Sequence, residues 1–217
     1  MNNTSKNLES FERELSEACQ KFERDRSEIT VVAVTKNRSP AEINELLENG
    51  ISAIGENRLQ EFLGKKSELA NCEKHFIGRI QSNKAAEIAR NFDVVESVAS
   101  RKVAQILDDE SAKMGKILPI FLQVNLAREP QKDGFLAEDL AAAIAEIAKF
   151  ENLKIVGLMT IGLLENENRT REIFTEGKKL CDEFGLAKFS AGMSDDWKIA
   201  VECGATELRI GRRLFEN

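Results

Sequence analysis

The sequence predicts a single-domain α/β protein: a (β/α)8 TIM barrel over residues 29–217 with an extra N-terminal helix within residues 1–28. Three observations carry that expectation. Eight short β-rich runs alternate with helical stretches along the chain, the pattern of a closed parallel barrel. No Gly-x-Gly-x-x-Gly follows the first run, so the competing open, doubly wound sheet lacks the fingerprint of a dinucleotide fold. No segment rich in Pro, Gly or Ser divides the 217 residues into two units.

Each element has its own signal. Leu8, Phe11, Leu15, Cys19 and Phe22 recur at three- and four-residue steps and mark one apolar face of the N-terminal helix. Strand-like runs follow near 29–35, 51–54, 74–77, 92–96, 117–124, 154–160, 186–189 and 206–210. Helices are predicted between them near 40–49, 57–70, 82–90, 100–114, 137–150, 168–184 and 195–203. The first of these has the firmest start: Ser39 at the N-cap, Pro40 in the first turn and Glu42 three residues after the cap. Leu140, Ile144 and Ile147 give the helix near 137–150 an inward stripe, and Lys149 suits its negative end.

Composition narrows the function. With 42% hydrophobic and 31% charged residues the chain can bury one sizeable core in water. A net charge of -6 argues against a general nucleic-acid surface. No apolar run approaches the length of a membrane span. The start, Met1 to Lys6, leads into a charged amphipathic helix rather than an apolar export segment. Cys19, Cys72, Cys181 and Cys203 lack metal-like pair spacing and read as reduced thiols of a cytoplasmic protein. Tyrosine is absent and His75 is the single histidine, so a tyrosine acid, a two-histidine metal site or a histidine relay lacks its parts. No metal site is expected, and a lone histidine beside a strand suits a packed residue with one satisfied ring nitrogen.

The first strand, Ile29 to Thr35, runs out into Lys36. A lysine at the C-terminal mouth of a buried strand can pack its stem while its amine reaches a pocket. That placement suits Schiff-base chemistry with an aldehyde cofactor, although a lysine snorkelling to solvent fits the same segment. Functional groups of a barrel sit at the C-terminal strand ends. The further candidates are Glu56 and Asn57, Gly78 with Gln81, Asn125, Thr160, Ser190 to Ser194, and Gly211 with Arg212. The last two loops, Ser190-Ala191-Gly192-Met193-Ser194-Asp195-Asp196 and Arg209-Ile210-Gly211-Arg212-Arg213, combine small residues, a helix start and arginines. Loops of this kind bind phosphate in barrels, and a Ser-Asp cap followed by an ordinary turn is the plainer alternative. Both loops opposite a strand-one lysine fit a phosphorylated aldehyde held at two points.

These segments resemble a known family along nearly the whole chain. Ala33-Val34-Thr35-Lys36, Gly55-Glu56-Asn57-Arg58-Leu59-Gln60-Glu61 and His75-Phe76-Ile77-Gly78-Arg79-Ile80-Gln81-Ser82-Asn83-Lys84 come first. Gln123-Val124-Asn125, Gly157-Leu158-Met159-Thr160, Gly192-Met193-Ser194-Asp195 and Arg209-Ile210-Gly211 follow in order. Together they are similar to the pyridoxal phosphate homeostasis proteins, also called the YggS-type family. The resemblance implies that Lys36 forms a Schiff base with pyridoxal 5'-phosphate (PLP). It implies a phosphate held by Ser194 and by backbone groups of Met193, Gly211 and Arg212. It places Arg209 against the pyridine nitrogen, with Asn57 beside the ring and Asn83 near the pocket edge. A guanidinium only donates, so a ring nitrogen facing it is unprotonated and the ring is a poorer electron sink. Arg58 and Arg79 are expected at the rim or surface. Two departures from the family pattern stand out: Lys74 replaces the usual tryptophan, and Glu216 follows Phe215 where glycine is usual.

The family barrel resembles the N-terminal barrel of alanine racemase, whose second domain and tyrosine complete a two-base site. This chain ends at residue 217 without a tyrosine, and none of its cysteines is expected at a strand mouth. The expectation is therefore a non-enzymatic, monomeric PLP carrier that serves vitamin B6 homeostasis and has PLP-dependent apoenzymes as recipients. A weak racemase or aminotransferase-like enzyme is the alternative, and a protein-binding barrel with an unused pocket is a third class.

Overall fold

The computed structural model describes residues 3–163 and 166–216. The predicted limits 1–28 and 29–217 thus include residues 1, 2, 164, 165 and 217, which lie outside the described part. Eight parallel strands close into a barrel in sequence order. They are β1 (Thr30–Val34), β2 (Ala53–Glu56), β3 (Glu73–Phe76), β4 (Val94–Val98), β5 (Leu118–Gln123), β6 (Leu153–Met159), β7 (Lys188–Ser190) and β8 (Glu207–Ile210). Closure is made by β1 against β8, with Thr30 opposite Glu207 and Val32 opposite Arg209. The predicted barrel is borne out.

The helices are α1 (Asn3–Lys21), α2 (Pro40–Glu48), α3 (Leu59–Lys65), α4 (Ser82–Asn91), α5 (Arg101–Lys113), α6 (Leu140–Ile147), α7 (Glu167–Glu183), α8 (Trp197–Glu202) and α9 (Arg212–Phe215). At the start of α2 the Ser39 side chain accepts from Glu42 N, and the Glu42 carboxylate accepts from Ser39 N at 2.9 Å, a complete capping box. Leu8, Phe11, Leu15 and Cys19 bury the apolar face of α1. Phe11 meets Trp197 of α8 edge-on, with ring centroids 5.1 Å apart. The N-terminal helix is thus fastened to the segment that follows β7.

Several boundaries differ from the prediction for local reasons. β2 begins two residues later than predicted because Ile51 closes α2, its N–H bonded to the Leu46 carbonyl at 3.1 Å. β4 is displaced likewise, since Phe92 N caps α4 on the Ile88 carbonyl at 3.1 Å. α3 is shorter than 57–70 and passes into a 3-10 turn over Lys66–Glu68. α8 starts at Trp197 because Asp195 and Asp196 remain in the preceding loop. α9 was not predicted; four residues are too few to show a helical period.

The main apolar core lies between the strands and the helices. Inside the barrel, Val94, Phe121 and Met159 form a smaller apolar cluster. The strands also bury a set of polar and charged residues, Glu56, His75, Glu96, Ser190, Glu207 and Arg209. Among the described residues no helix is long and apolar enough to cross a membrane.

Candidate functional site at the C-terminal rim

Lys36 stands just past β1 and is exposed at the barrel mouth. The acid nearest in sequence pattern, Glu56 at the end of β2, is occupied by another lysine. Lys65 Nζ, on the last turn of α3, lies 2.7 Å from Glu56 Oε1, 2.8 Å from the Thr35 carbonyl and 3.1 Å from Glu61 Oε1. The Thr35 hydroxyl donates to the same Glu56 oxygen. Burial pushes the Glu56 carboxyl above the ordinary carboxylate range, against the pull of Lys65 and Thr35. Glu56 is therefore a strand-end brace that fixes the base of the Lys36 loop. Nothing in the sequence set Lys65 apart from other helix lysines.

Asn57 follows directly, half-buried, and its Oδ1 is buried with no hydrogen-bond partner. Gly78 fixes its backbone: a Cβ on Gly78 would fall 2.2 Å from the Asn57 carbonyl oxygen. Beside it a cavity of about 870 Å³ runs from the rim residues Asn57, Arg58 and Arg79 to Leu59 of α3 and Ile88 of α4, and Lys36 is not among its lining residues. Arg58 and Arg79 are exposed rim groups, Arg79 paired with Asp133 at 2.8 Å, and Asn83 is exposed on α4.

Opposite, the loops after β7 and β8 meet. Gly192 takes φ +88°, and a Cβ there would fall 2.5 Å from the Ala200 Cβ, so this turn requires glycine. Ser194 Oγ accepts from Gly211 N at 3.4 Å, and Arg212, exposed, pairs with Asp195. Met193 makes its backbone bonds within the loop after β7. Its N–H donates to Asp196 Oδ1 at 2.6 Å, and its carbonyl accepts from the Asp196 and Trp197 amides at 3.2 and 3.0 Å. The Met193 backbone is used within the loop. The Gly211 N–H and the Arg212 guanidinium are likewise engaged within these two loops, by Ser194 and Asp195.

Arg209 forms the floor on this side. It is 4% exposed; Nη1 donates to Ser190 Oγ at 2.5 Å and Nη2 to the Thr160 carbonyl at 2.9 Å. Ser190 Oγ in turn donates to Glu96 Oε2 at 2.5 Å. His75 lies beneath, and here the structure corrects the expectation of one satisfied nitrogen. Nδ1 is 2.7 Å from Glu96 Oε1 and Nε2 is 3.1 Å from Glu73 Oε2, with Glu207 Oε2 3.7 Å from Nδ1. Burial pulls the imidazole toward neutrality, but the bonds to Glu73 and Glu96 and the charges of Glu96 and Glu207 outweigh it and raise the pKa to about 10. Burial likewise opposes ionisation of Glu96, yet His75 and Arg209 hold it below the usual range. Lys188 Nζ bonds Glu207 Oε1 at 2.5 Å. His75, Glu96 and Glu207 offer ligand atoms within 4.8 Å of one another. Three cations (His75, Lys188, Arg209) face Glu73, Glu96 and Glu207, and Asp196 adds a further carboxylate beside Arg209.

Two other strand-end candidates are absorbed by the scaffold. Asn125 Nδ2 donates to the Glu129 and Lys132 carbonyls at 2.9 and 3.0 Å, and the Thr160 hydroxyl donates to the Val124 carbonyl at 3.0 Å. The charged interior was missed by sequence reasoning. Its signal was present as charges set inside apolar strands, in Val94-Val95-Glu96-Ser97-Val98 and Glu207-Leu208-Arg209-Ile210.

A barrel with a strand-one lysine at its mouth, a buried arginine on the neighbouring β8 and the loops after β7 and β8 meeting beside them defines a class. Residues 7–216 match the family described as alanine racemase, N-terminal domain. An alanine racemase from Clostridium difficile shares the fold at a TM-score of 0.71 and 16% identity, covering 94% of this chain and 56% of that one. Nearer relatives narrow the class. A pyridoxal phosphate homeostasis protein from Pseudomonas aeruginosa is 37% identical, covering 99% of this chain and 96% of its own length. Its Escherichia coli counterpart is 32% identical, with 99% and 97% covered. PipY of Synechococcus elongatus, solved with PLP bound, superposes at a TM-score of 0.87 with 30% identity, covering 98% of this chain and 100% of that one. The chain belongs to the pyridoxal phosphate homeostasis protein family.

Proposed function

We propose that this protein binds PLP through a reversible covalent bond to Lys36 and serves as a cytoplasmic, monomeric carrier in PLP homeostasis. The observation that carries the reading is the division of labour between two lysines. Lys65 neutralises the buried Glu56, and Lys36 is left exposed at the mouth as the free amine. Bound PLP supplies an aldehyde carbon for that amine. Asn57, with a buried side-chain atom lacking a partner, fits a polar edge of such a ligand, and its amide can present either oxygen or nitrogen. Ser194, Gly211 and Arg212 fit the phosphate from the loops after β7 and β8, with the Met193 backbone bracing their loop through Asp196. Arg209, fixed by Ser190 and Thr160, offers a guanidinium to the ring nitrogen and keeps it an acceptor.

The same residues favour holding over turnover. A ring nitrogen kept unprotonated draws electrons weakly, and the 217 residues contain no tyrosine to serve as a second acid or base. PLP-dependent apoenzymes are the proposed recipients. The test is the visible spectrum of the purified protein with added PLP, followed by borohydride reduction and peptide mapping. A yellow band that reduction fixes on Lys36, and that Lys36→Ala abolishes, is the expected outcome. Labels spread over surface lysines would overturn it. Sustained turnover of an amino acid, lost in Lys36→Ala, would favour a weak racemase instead.

A further inference from the structure

A continuous line of hydrogen bonds crosses the barrel interior from β3 to β8. His75 Nδ1 meets Glu96 Oε1 at 2.7 Å, Ser190 Oγ donates to Glu96 Oε2 at 2.5 Å, and Arg209 Nη1 donates to Ser190 Oγ at 2.5 Å. All four residues are at most 4% exposed. Binding the cofactor at Lys36 and at the anion loops uses none of the first three.

The direction of each bond follows from the donors available. A hydroxyl has one proton, and Ser190 gives its proton to Glu96, so its lone pairs are left for Arg209. Glu96 can impose that order only as an ionised acceptor. Its second oxygen is held by His75, which carries protons on both nitrogens because Glu73 on its own strand, Glu96 on β4 and Glu207 on β8 all face it. Lys188 on β7 engages the far oxygen of Glu207, and Asp196 adds its charge on the Arg209 side. Arg209 is thus anchored at Nη1 by this line and at Nη2 by the Thr160 carbonyl, which sets the plane of the guanidinium. Glu96 Oε2 also lies 3.9 Å from Arg209 Nη1 and offsets its charge.

We propose that His75, Glu96 and Ser190 are positioning residues, which hold the Arg209 guanidinium in the plane where it meets the cofactor's ring nitrogen. The inference rests on the PLP reading above. It makes the polar interior of the barrel an electrical extension of the rim site rather than a merely structural filling.

The test compares wild type, Ser190→Ala and Ser190→Thr, each with added PLP, by visible absorption, PLP dissociation constant and borohydride mapping. In Ser190→Ala both charge-assisted hydrogen bonds of the hydroxyl, to Glu96 and from Arg209, are lost, so affinity is expected to fall about tenfold, with a displaced visible band. The adduct stays on Lys36, and Ser190→Thr, which keeps the hydroxyl, restores both readings. A Ser190→Ala protein with wild-type band and affinity overturns the positioning role while leaving Lys36 as the cofactor site. Wild type without a Lys36 adduct overturns both. Should Ser190→Ala not fold, the unaltered protein still decides. His75 is the single histidine, so labelling with heavy-nitrogen histidine yields the ring nitrogens of one residue. Adding PLP should shift them, and resonances that stay in place would overturn the proposal.

Discussion

At the scale of single residues, the buried charges are the most sensitive points of the protein. Lys65 is 6% exposed and Glu56 is fully buried, and Lys65 is the one cation paired with that carboxylate. Lys65→Met is expected to cost about 3 kcal/mol, because it strands a carboxylate in the interior. Combining it with Glu56→Gln should recover most of that loss, and urea denaturation of the four proteins checks both statements. The positions of Lys36, Asn57, Ser194, Gly211 and Arg212 past the strand ends were legible in the sequence from the strand pattern. Lys65 was not, because a lysine in a helix shows no sign of turning inward until the strand it reaches is in place. His75 was read as a packed side chain, since a sequence cannot show that three glutamates from three strands converge on it.

At the scale of elements, legibility followed the strength of local chemistry. The α2 start was readable because Ser39, Pro40 and Glu42 each stabilise the same turn. Ser39→Ala removes the cap and should lower stability by about 1 kcal/mol, seen as a lower urea midpoint with unchanged slope. β2 was misplaced by two residues for the opposite reason. Gly55 and Glu56 carry no strand preference of their own and are strand residues because β3 pairs with both and β1 with Gly55. Ser194-Asp195-Asp196 looks like a cap in the sequence, yet α8 starts only at Trp197. Asp196 does cap a backbone amide, but that of Met193, which closes the loop ahead of the helix.

At the scale of the whole molecule, the alternation of strands and helices sufficed to predict a closed barrel, whereas the polarity of its interior could not be foreseen without the register. That interior makes stability depend on pH. The His75 pKa is raised to about 10, above the ordinary value of about 6.5. Its stabilising contribution is therefore complete below pH of about 6.5 and is lost as pH rises toward 10. Unfolding free energy should fall across that window by at most about 1.4 kcal/mol per pH unit, and a His75→Gln protein should show a flatter profile. The seam between α1 and α8 has an optical consequence. With one tryptophan and no tyrosine in the chain, the near-ultraviolet emission of the molecule comes from Trp197 alone. That indole is buried against Phe11 and sits three residues beyond Ser194, so one colour of light reports both the docking of the N-terminal helix and whatever chromophore settles in the mouth.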